Sequence, residues 1–360
     1  MSELQQTSLY AEHLKLQAKM APFAGFSMPI QYTTVKEEVA AVRTRVGMFD
    51  VSHMGEFLVE GPQAYDYVDY LMTNDFKNSE PHKAVYAPLC NDAGHILDDL
   101  IAYKINDQKV LICVNAANMH KDWAWVSSHV GQFNCVTKNL SDNFSLLAVQ
   151  GPQAAAVLQK VGIKFDEANF PYYSVQTSSY QNQEVIIART GYTGEDGFEV
   201  FCGHQIAPIL WRQLLQEKVT PCGLAARDIL RLEVGYPLYG HELNEELTPF
   251  DCGIGWAVKK DKASFMGRTA LLATKPVYQA VKLSITAGIP RAGYPITNAA
   301  GAVIGEVSSG TLSPTLNKGI ALGRVRRDLM PADKVMAISV RGKNIPATYH
   351  AKPFLTGGHK

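Results

Sequence analysis

Val35, Val39, Val42 and Val46 recur at the spacing of one helix face in VKEEVAAVRTRV, and Gly47 follows as a natural stop, so the pattern predicts a helix over 35–46. Short β-like runs come next: EFLVE (56–60), KVLICV (109–114), SLLAVQ (145–150), EVIIAR (184–189) and FEVFC (198–202). Two of them echo each other. EFLVE leads into Gly61, Pro62, Gln63 and Ala64, and SLLAVQ into Gly151, Pro152, Gln153 and Ala154, each ahead of a helical pattern. Proline after a glycine turn presets a first helical turn. Chance reuse of a common helix-start device and a duplicated α+β unit both fit this echo. Beyond residue 270 only short β-like runs remain, VKLSIT (281–286), GAVIGEVSSG (301–310), GIALGRV (319–325) and KVMAISV (334–340), separated by Gly, Pro and Asn. Such spacing without a helical period predicts a small barrel or sandwich, reached through the linker ATKPVY (273–278).

The chain has 360 residues, 46% hydrophobic and 19% charged, which excludes a disordered or low-complexity protein and allows two or three domains. Lys+Arg and Asp+Glu both number 34, so nucleic-acid binding driven by bulk phosphate neutralisation is not expected. The first stretch, MSELQQTSLYAEHLKLQAKM, has no apolar core of a secretory signal. No apolar run approaches the ~18–20 residues of a membrane span. The 6 cysteines are scattered singly with no C-x-x-C pair, the usage of reduced thiols in a cytoplasmic protein.

Common catalytic signatures are missing. There is no phosphate loop, no G-x-G-x-x-G dinucleotide turn and no G-x-S-x-G elbow, and after His241-Glu242 the position a zincin needs as His is Glu245. Four polar clusters remain. In GHILDDLI (94–101) the adjacent Asp98 and Asp99 point to opposite faces of a strand, so one of them can face a cavity. In VNAAN (114–118) Asn115 either makes a turn or presents a donor and an acceptor to a planar heterocycle. In ARTGYTGEDGFEV (188–200) positive φ accounts for the glycines but not for Glu199 inside an apolar run, whose burial the pattern leaves open. In GLAARDILRLE (223–233) Arg227 shares a stripe with Leu230 and Arg231; it can pair with a carboxylate such as Glu199, while Asp228 and Arg231 also fit a solvated i,i+3 pair. Together these residues suit a cleft that grips a flat polar heterocycle.

In this order the clusters resemble the glycine cleavage T-protein family of aminomethyltransferases. The resemblance runs through FAGFSMPIQY (23–32), VRTRVGMFDVSHMGEF (42–57), ILDDLI (96–101), VNAAN (114–118), LAVQGP (147–152), ARTGYTGEDGFEV (188–200), GLAARDILRLEVGYPLYGHEL (223–243) and GEVSSGTLSPTLNKGIALGRV (305–325). It departs at His95, where many relatives carry a second Gly, and in the tail AKPFLTGGHK, from which no binding residue is carried over.

The resemblance implies an α+β fold: two antiparallel-sheet α+β units around a central channel, plus a C-terminal small β-barrel. The first unit would be discontiguous (1–50 and 140–270), the second inserted (51–139), and the barrel would span 278–360. The implied reaction takes the aminomethyl group from the lipoyl arm of an H-protein partner. It releases ammonia and passes the one-carbon unit to tetrahydrofolate, giving 5,10-methylenetetrahydrofolate and dihydrolipoyl H-protein, with no metal. Matched to the family, Asp99 is the catalytic carboxylate and Asp98, on the other face, a bystander. Glu199 would accept the pterin edge with Arg227 beside it, Asn115 would hydrogen-bond and Met54 pack in the channel, and Tyr86 and Tyr239 would complete the pocket. A folate-binding paralogue acting in iron–sulfur cluster assembly or repair is the alternative, although its Lys-Gly-Cys motif does not occur here. The substrate half of an amine-oxidising flavoenzyme would bring a dinucleotide-binding domain, whose fingerprint is also missing.

Overall fold

A computed structural model describes residues 3–358. Its sheets are a six-stranded one, in spatial order Val175–Tyr180, Gln183–Ala188, Gly197–Gly203, Phe144–Gln150, Gly47–Asp50 and Thr220–Pro221, and a five-stranded one, in order Ala84–Cys90, Ile96–Asn106, Lys109–Val114, Gly55–Glu60 and Val136–Asn139. A two-stranded hairpin, Lys19–Phe23 with Phe26–Gln31, lies near the N-terminus. The last element is a closed six-stranded barrel, Tyr278–Ile285, Lys318–Arg326, Val303–Ser313, Pro295–Asn298, Met336–Val340 and Lys343–Tyr349. The larger sheet is antiparallel except where Thr220–Pro221 runs parallel to Gly47–Asp50.

Hydrophobic alternation stacks these pieces in layers. Phe198, Val200 and Cys202 turn to helices Ala154–Lys160 and Ala207–Gln216 through Leu158, Leu210 and Leu214. Leu100 and Ala102 turn to helices Ala64–Leu71 and Met119–Ser128 through Val68, Leu71 and Val126. Phe201 from the larger sheet and Tyr103 and Ile105 from the smaller one meet in a third core between the sheets. Helices Val35–Thr44 and Leu224–Glu233 add Val39, Val42, Ala226 and Leu230 to that middle core. Because strands in both sheets are covered on two sides, their runs are apolar with polar residues only where something uses them.

The helix read over 35–46 stops at Thr44, although it starts as read, with Thr34 and Glu37 forming a capping box. Gly47 is not its stop. It opens the strand Gly47–Asp50, and a Cβ there would lie 2.6 Å from Val42 Cγ2 and 2.7 Å from Cys222 Sγ. Both Gly-Pro-Gln-Ala echoes form the same turn, with Gly61 at φ +139° and Gly151 at φ +126°, yet the helices begin at Ala64 and Ala154 rather than at the prolines. The linker is short, since the barrel's first strand starts at Tyr278, where the backbone N–H groups of Val277 and Tyr278 donate to Asp251 Oδ1.

The barrel is fastened to helix Leu224–Glu233. Arg231 is 1% exposed; it donates to Asp228 (2.8 Å), Glu242 (2.9 Å) and the barrel's Ser309 (2.8 Å). The solvated i,i+3 reading of Arg231 is thereby corrected: the pair with Asp228 exists, but the guanidinium is buried and bridges two parts of the fold. The C-terminal tail straps back over the same helix, with Phe354 against Leu232 and Ile320, Leu355 N–H on Glu233 O and Gly358 N–H on Gly194 O.

Candidate active site

Strand parity decides the two aspartates. Asp99 shares the inter-sheet face of Ile96–Asn106 with Ile101 and Tyr103, while Asp98 faces the helix layer with Leu100. Asp99 Oδ2 accepts from Tyr86 OH at 3.1 Å and Oδ1 from Asn115 Nδ2 at 2.9 Å. Burial, and then the charge of Asp98, push Asp99 up to about 7. Asp98 is the more heavily bonded of the two. It is 0% exposed and accepts from Asn115 N–H (3.0 Å), Asn115 Nδ2 (2.8 Å) and Asn118 Nδ2 (2.7 Å).

Asn115 sits where the strand Lys109–Val114 ends and turns, as its turn reading expects. Its amide hydrogens are spent on the aspartates, which leaves only the acceptor Oδ1 without a partner among the described residues. Tyr86 lies on the neighbouring strand Ala84–Cys90 and stacks on Trp256, which is 63% exposed, with centroids 5.7 Å apart.

Glu199 lies across the gap on Gly197–Gly203, on the same face as Phe201, and is 7% exposed. Its Oε2 accepts from Thr190 Oγ1 (2.5 Å) and from Tyr103 OH of the facing sheet (3.3 Å), and Oε1 has no partner among the described residues. The other acids of this loop are already committed: Asp196 to Arg189 at 2.8 and 2.7 Å, and Glu195 to Arg43 at 2.9 Å. The loop's glycines also differ in cause. Only Gly194 has positive φ (+81°), whereas a Cβ on Gly191 would meet Gln150 Oε1 at 2.0 Å and one on Gly197 Gln150 Nε2 at 2.6 Å.

Arg227 does not form the expected ion pair with Glu199. Its guanidinium lies 5.0 Å from the centroid of Tyr192, makes no hydrogen bond to a described residue, and has Nη1 buried. Burial lowers its pKa, and the charge of Glu199 opposes that shift. Buried His53 is kept neutral, down to about 4, chiefly by burial and further by Arg227; its Nδ1 also lacks a partner. Met54 packs into the middle core. Tyr239 belongs to another cluster: it packs with Ile96 and Leu247, and its hydroxyl meets Lys121 Nζ at 3.1 Å and Ile96 O at 3.4 Å.

Sequence reasoning did not single out Tyr103, Tyr173, Tyr192 or Trp256. Tyr86, Tyr173, Tyr192 and Arg227 are half-buried and gather near Asp99: the charge of Asp99 helps to raise the three tyrosine hydroxyls, and Arg227 lies over the Tyr192 ring. Tyr173 adopts φ +60°, unusual for a bulky residue, held by Tyr173 N–H on Arg189 O and Ala84 N–H on Tyr173 O, both 2.9 Å. Tyr192 stands inside ARTGYTGEDGFEV and Arg227 inside GLAARDILRLE, whereas Tyr86, Tyr103 and Tyr173 lie between the motifs. The result is a polar cluster between the two sheets: a near-neutral carboxylate from the smaller sheet, an acceptor from the larger one, and an unspent guanidinium from helix Leu224–Glu233.

Comparison with known proteins matches residues 9–262 to the family described as GCVT N-terminal domain and residues 279–355 to the glycine cleavage T-protein C-terminal barrel domain. An aminomethyltransferase of Thermosipho melanesiensis is 44% identical over 363 residues, covering 99% of both chains. One from Thermotoga maritima is 42% identical over 361 residues, covering 98% of each. The crystal structure of the glycine cleavage system aminomethyltransferase T of Bartonella henselae superposes with a TM-score of 0.92 at 34% identity, over 99% of both chains.

Proposed function

The chain belongs to the glycine cleavage T-protein family, and on that premise we propose that it moves the one-carbon unit of an aminomethyl-loaded, lipoylated H-protein onto tetrahydrofolate. It is an aminomethyltransferase with the mixed α+β-plus-barrel fold of that family. The iron–sulfur alternative is not favoured, because relatives aligned over nearly the whole chain carry the aminomethyltransferase name. The larger sheet takes strands from both sides of the segment that forms the smaller sheet, which supports a discontiguous first unit with an insertion. No helix among the described residues is long and apolar enough to cross a membrane, and all six cysteines are free; the free thiols support a cytoplasmic setting.

The observation that carries the site assignment is the gathering of Asp99, held near neutrality, Glu199 of the facing sheet and an unpaired Arg227 around the same tyrosines, Tyr173 and Tyr192. Glu199 Oε1, the oxygen left without a partner among the described residues, would accept an N–H donor of a pterin edge, and Arg227 would donate to its carbonyl side. Met54 and the tyrosines supply the apolar and aromatic walls. Asn115, with its N–H groups spent, contributes only an acceptor. Tyr239, turned to Lys121, shapes the wall behind Asp98 rather than touching the ring.

In the reaction the C–N bond of the aminomethyl group breaks and two bonds form from its carbon to folate nitrogens as the C–S bond is released. The two folate N–H protons end on ammonia and on the lipoyl sulfur. Asp99 is suited to accept a proton from the attacking nitrogen and to stabilise the positive charge that develops beside it. The test is tetrahydrofolate-dependent ammonia release from aminomethyl-loaded H-protein. Stoichiometric ammonia with 5,10-methylenetetrahydrofolate supports the proposal; ammonia release indifferent to tetrahydrofolate refutes it.

A further inference from the structure

Asp122 is an acid that the proposed function leaves unused. It lies in helix Met119–Ser128, 0% exposed, and no N–H or O–H of another described side chain or backbone group reaches either carboxylate oxygen. What it touches is Asp98, carboxyl to carboxyl. Lys121, the adjacent cation, spends its ammonium on Leu97 O (2.8 Å), Tyr239 OH (3.1 Å) and Glu245 (2.6 Å). Two buried carboxylates in contact cannot both be ionised, so a proton lies between them. The donors decide where it sits. Asp98 receives three N–H bonds that stabilise its charge and Asp122 receives none, so the proton stays on Asp122. Burial and the charge of Asp98 push Asp122 up to about 11.

We propose that Asp122 is a positioning residue: a neutral carboxylic acid that donates to Asp98, fixing that carboxylate as the anchor from which Asn115 is aimed at Asp99. The proposal rests on the assignment of Asp99 given above and deepens it. Asp98 has a second effect through space, since its charge is one of the causes that hold Asp99 near neutrality. The groups facing this cluster are Asp99, Asn115 and Tyr86 from the smaller sheet, Asn118, Lys121 and Asp122 from the helix side, and Tyr239 and Glu245 beyond Lys121. Only Lys121 among them carries positive charge, and it is committed elsewhere. Asp122 therefore has no salt partner to replace its proton.

The test uses the full-length enzyme in two measurements. Infrared spectra with isotopically labelled aspartate are expected to show a protonated carboxyl at pH about 8 in wild type and its loss in Asp122→Asn. No such band in wild type overturns the proposal without any reference to turnover. In Asp122→Ala, Asp98 loses one donor and holds a proton more readily, so its charge raises Asp99 less. Ammonia release should fall roughly 10–100-fold, as for a misplaced catalytic group, and its acidic limb should move to lower pH. Asp122→Asn keeps a donor of the same shape and should recover most of the lost rate with the limb returned toward wild type. A rate loss in Asp122→Ala with an unmoved limb, or no recovery in Asp122→Asn, reduces Asp122 to a structural role and overturns the proposal. If Asp99→Asn is fully active while the band is present, the assignment of Asp99 fails instead, and the positioning role falls with it.

Discussion

Tyr103 and Glu199 reach across the space between the two sheets, hydroxyl to carboxylate at 3.3 Å, and so fix the carboxylate by a bond between the layers. Glu199 is thus positioned from the strand below, from Thr190 beside it and from the sheet opposite. Removing it strands Tyr103 and Thr190 and, on the proposed function, takes away the acceptor for the pterin edge. Glu199→Ala is expected to weaken tetrahydrofolate binding by about 1–3 kcal/mol, roughly 5–150-fold, measured by titration calorimetry. Unchanged affinity would remove Glu199 from the site.

The pH profile follows from Asp99. A proton acceptor must be ionised, and this carboxyl is pushed up to about 7, so ammonia release should rise through an acidic limb near that pH. Stability runs the other way. The folded chain holds this proton where the unfolded chain has lost it, so Asp99 subtracts stability as pH climbs from about 4 to about 7. Asp99→Asn should flatten that segment of the stability curve. An acidic limb below pH about 5 in wild type would contradict the assignment.

Asn115→Ala separates the turn from the ligand contact. The hydrogen bond from Asn115 lowers Asp99, so its loss should move the acidic limb to higher pH. Folate affinity should fall by about 1 kcal/mol for the lost acceptor. If melting temperature alone changed, Asn115 would be only a turn residue.

Arg231 tests the attachment of the barrel. Its guanidinium is 1% exposed and serves Asp228, Glu242 and Ser309, so Arg231→Ala leaves buried acceptors uncompensated. Urea unfolding should show a loss of about 3–5 kcal/mol. A change under about 1 kcal/mol would mean that the barrel is held by other contacts.

Much of this could be read from the chain because period and spacing reach far into local structure. Two-residue alternation separated Asp98 from Asp99, and the run of short strands after residue 270 marked the barrel. What failed was any inference that needed to know what covers a face. Glu199 sits in a strand with apolar residues on both sides because helices cover one face and a second sheet the other, and parity alone cannot rank two buried faces. Arg231 looked solvated because its partners Glu242 and Ser309 come from distant segments. The bonds to Asp98 were not legible because Asn118 and Asp122 meet it only after the following helix folds back.

The most direct measurement is single-turnover ammonia release by Asp99→Asn, from aminomethyl-loaded H-protein at saturating tetrahydrofolate. Asn keeps the shape and the contacts to Tyr86 and Asn115 but cannot accept a proton or carry the charge. A fall of ~10²–10⁴-fold is expected, with tetrahydrofolate affinity nearly unchanged, because the carboxylate acts where charge develops rather than on the resting ring. A loss of no more than a few-fold would contradict the assignment and leave positioning of the two substrates as the whole of the catalysis.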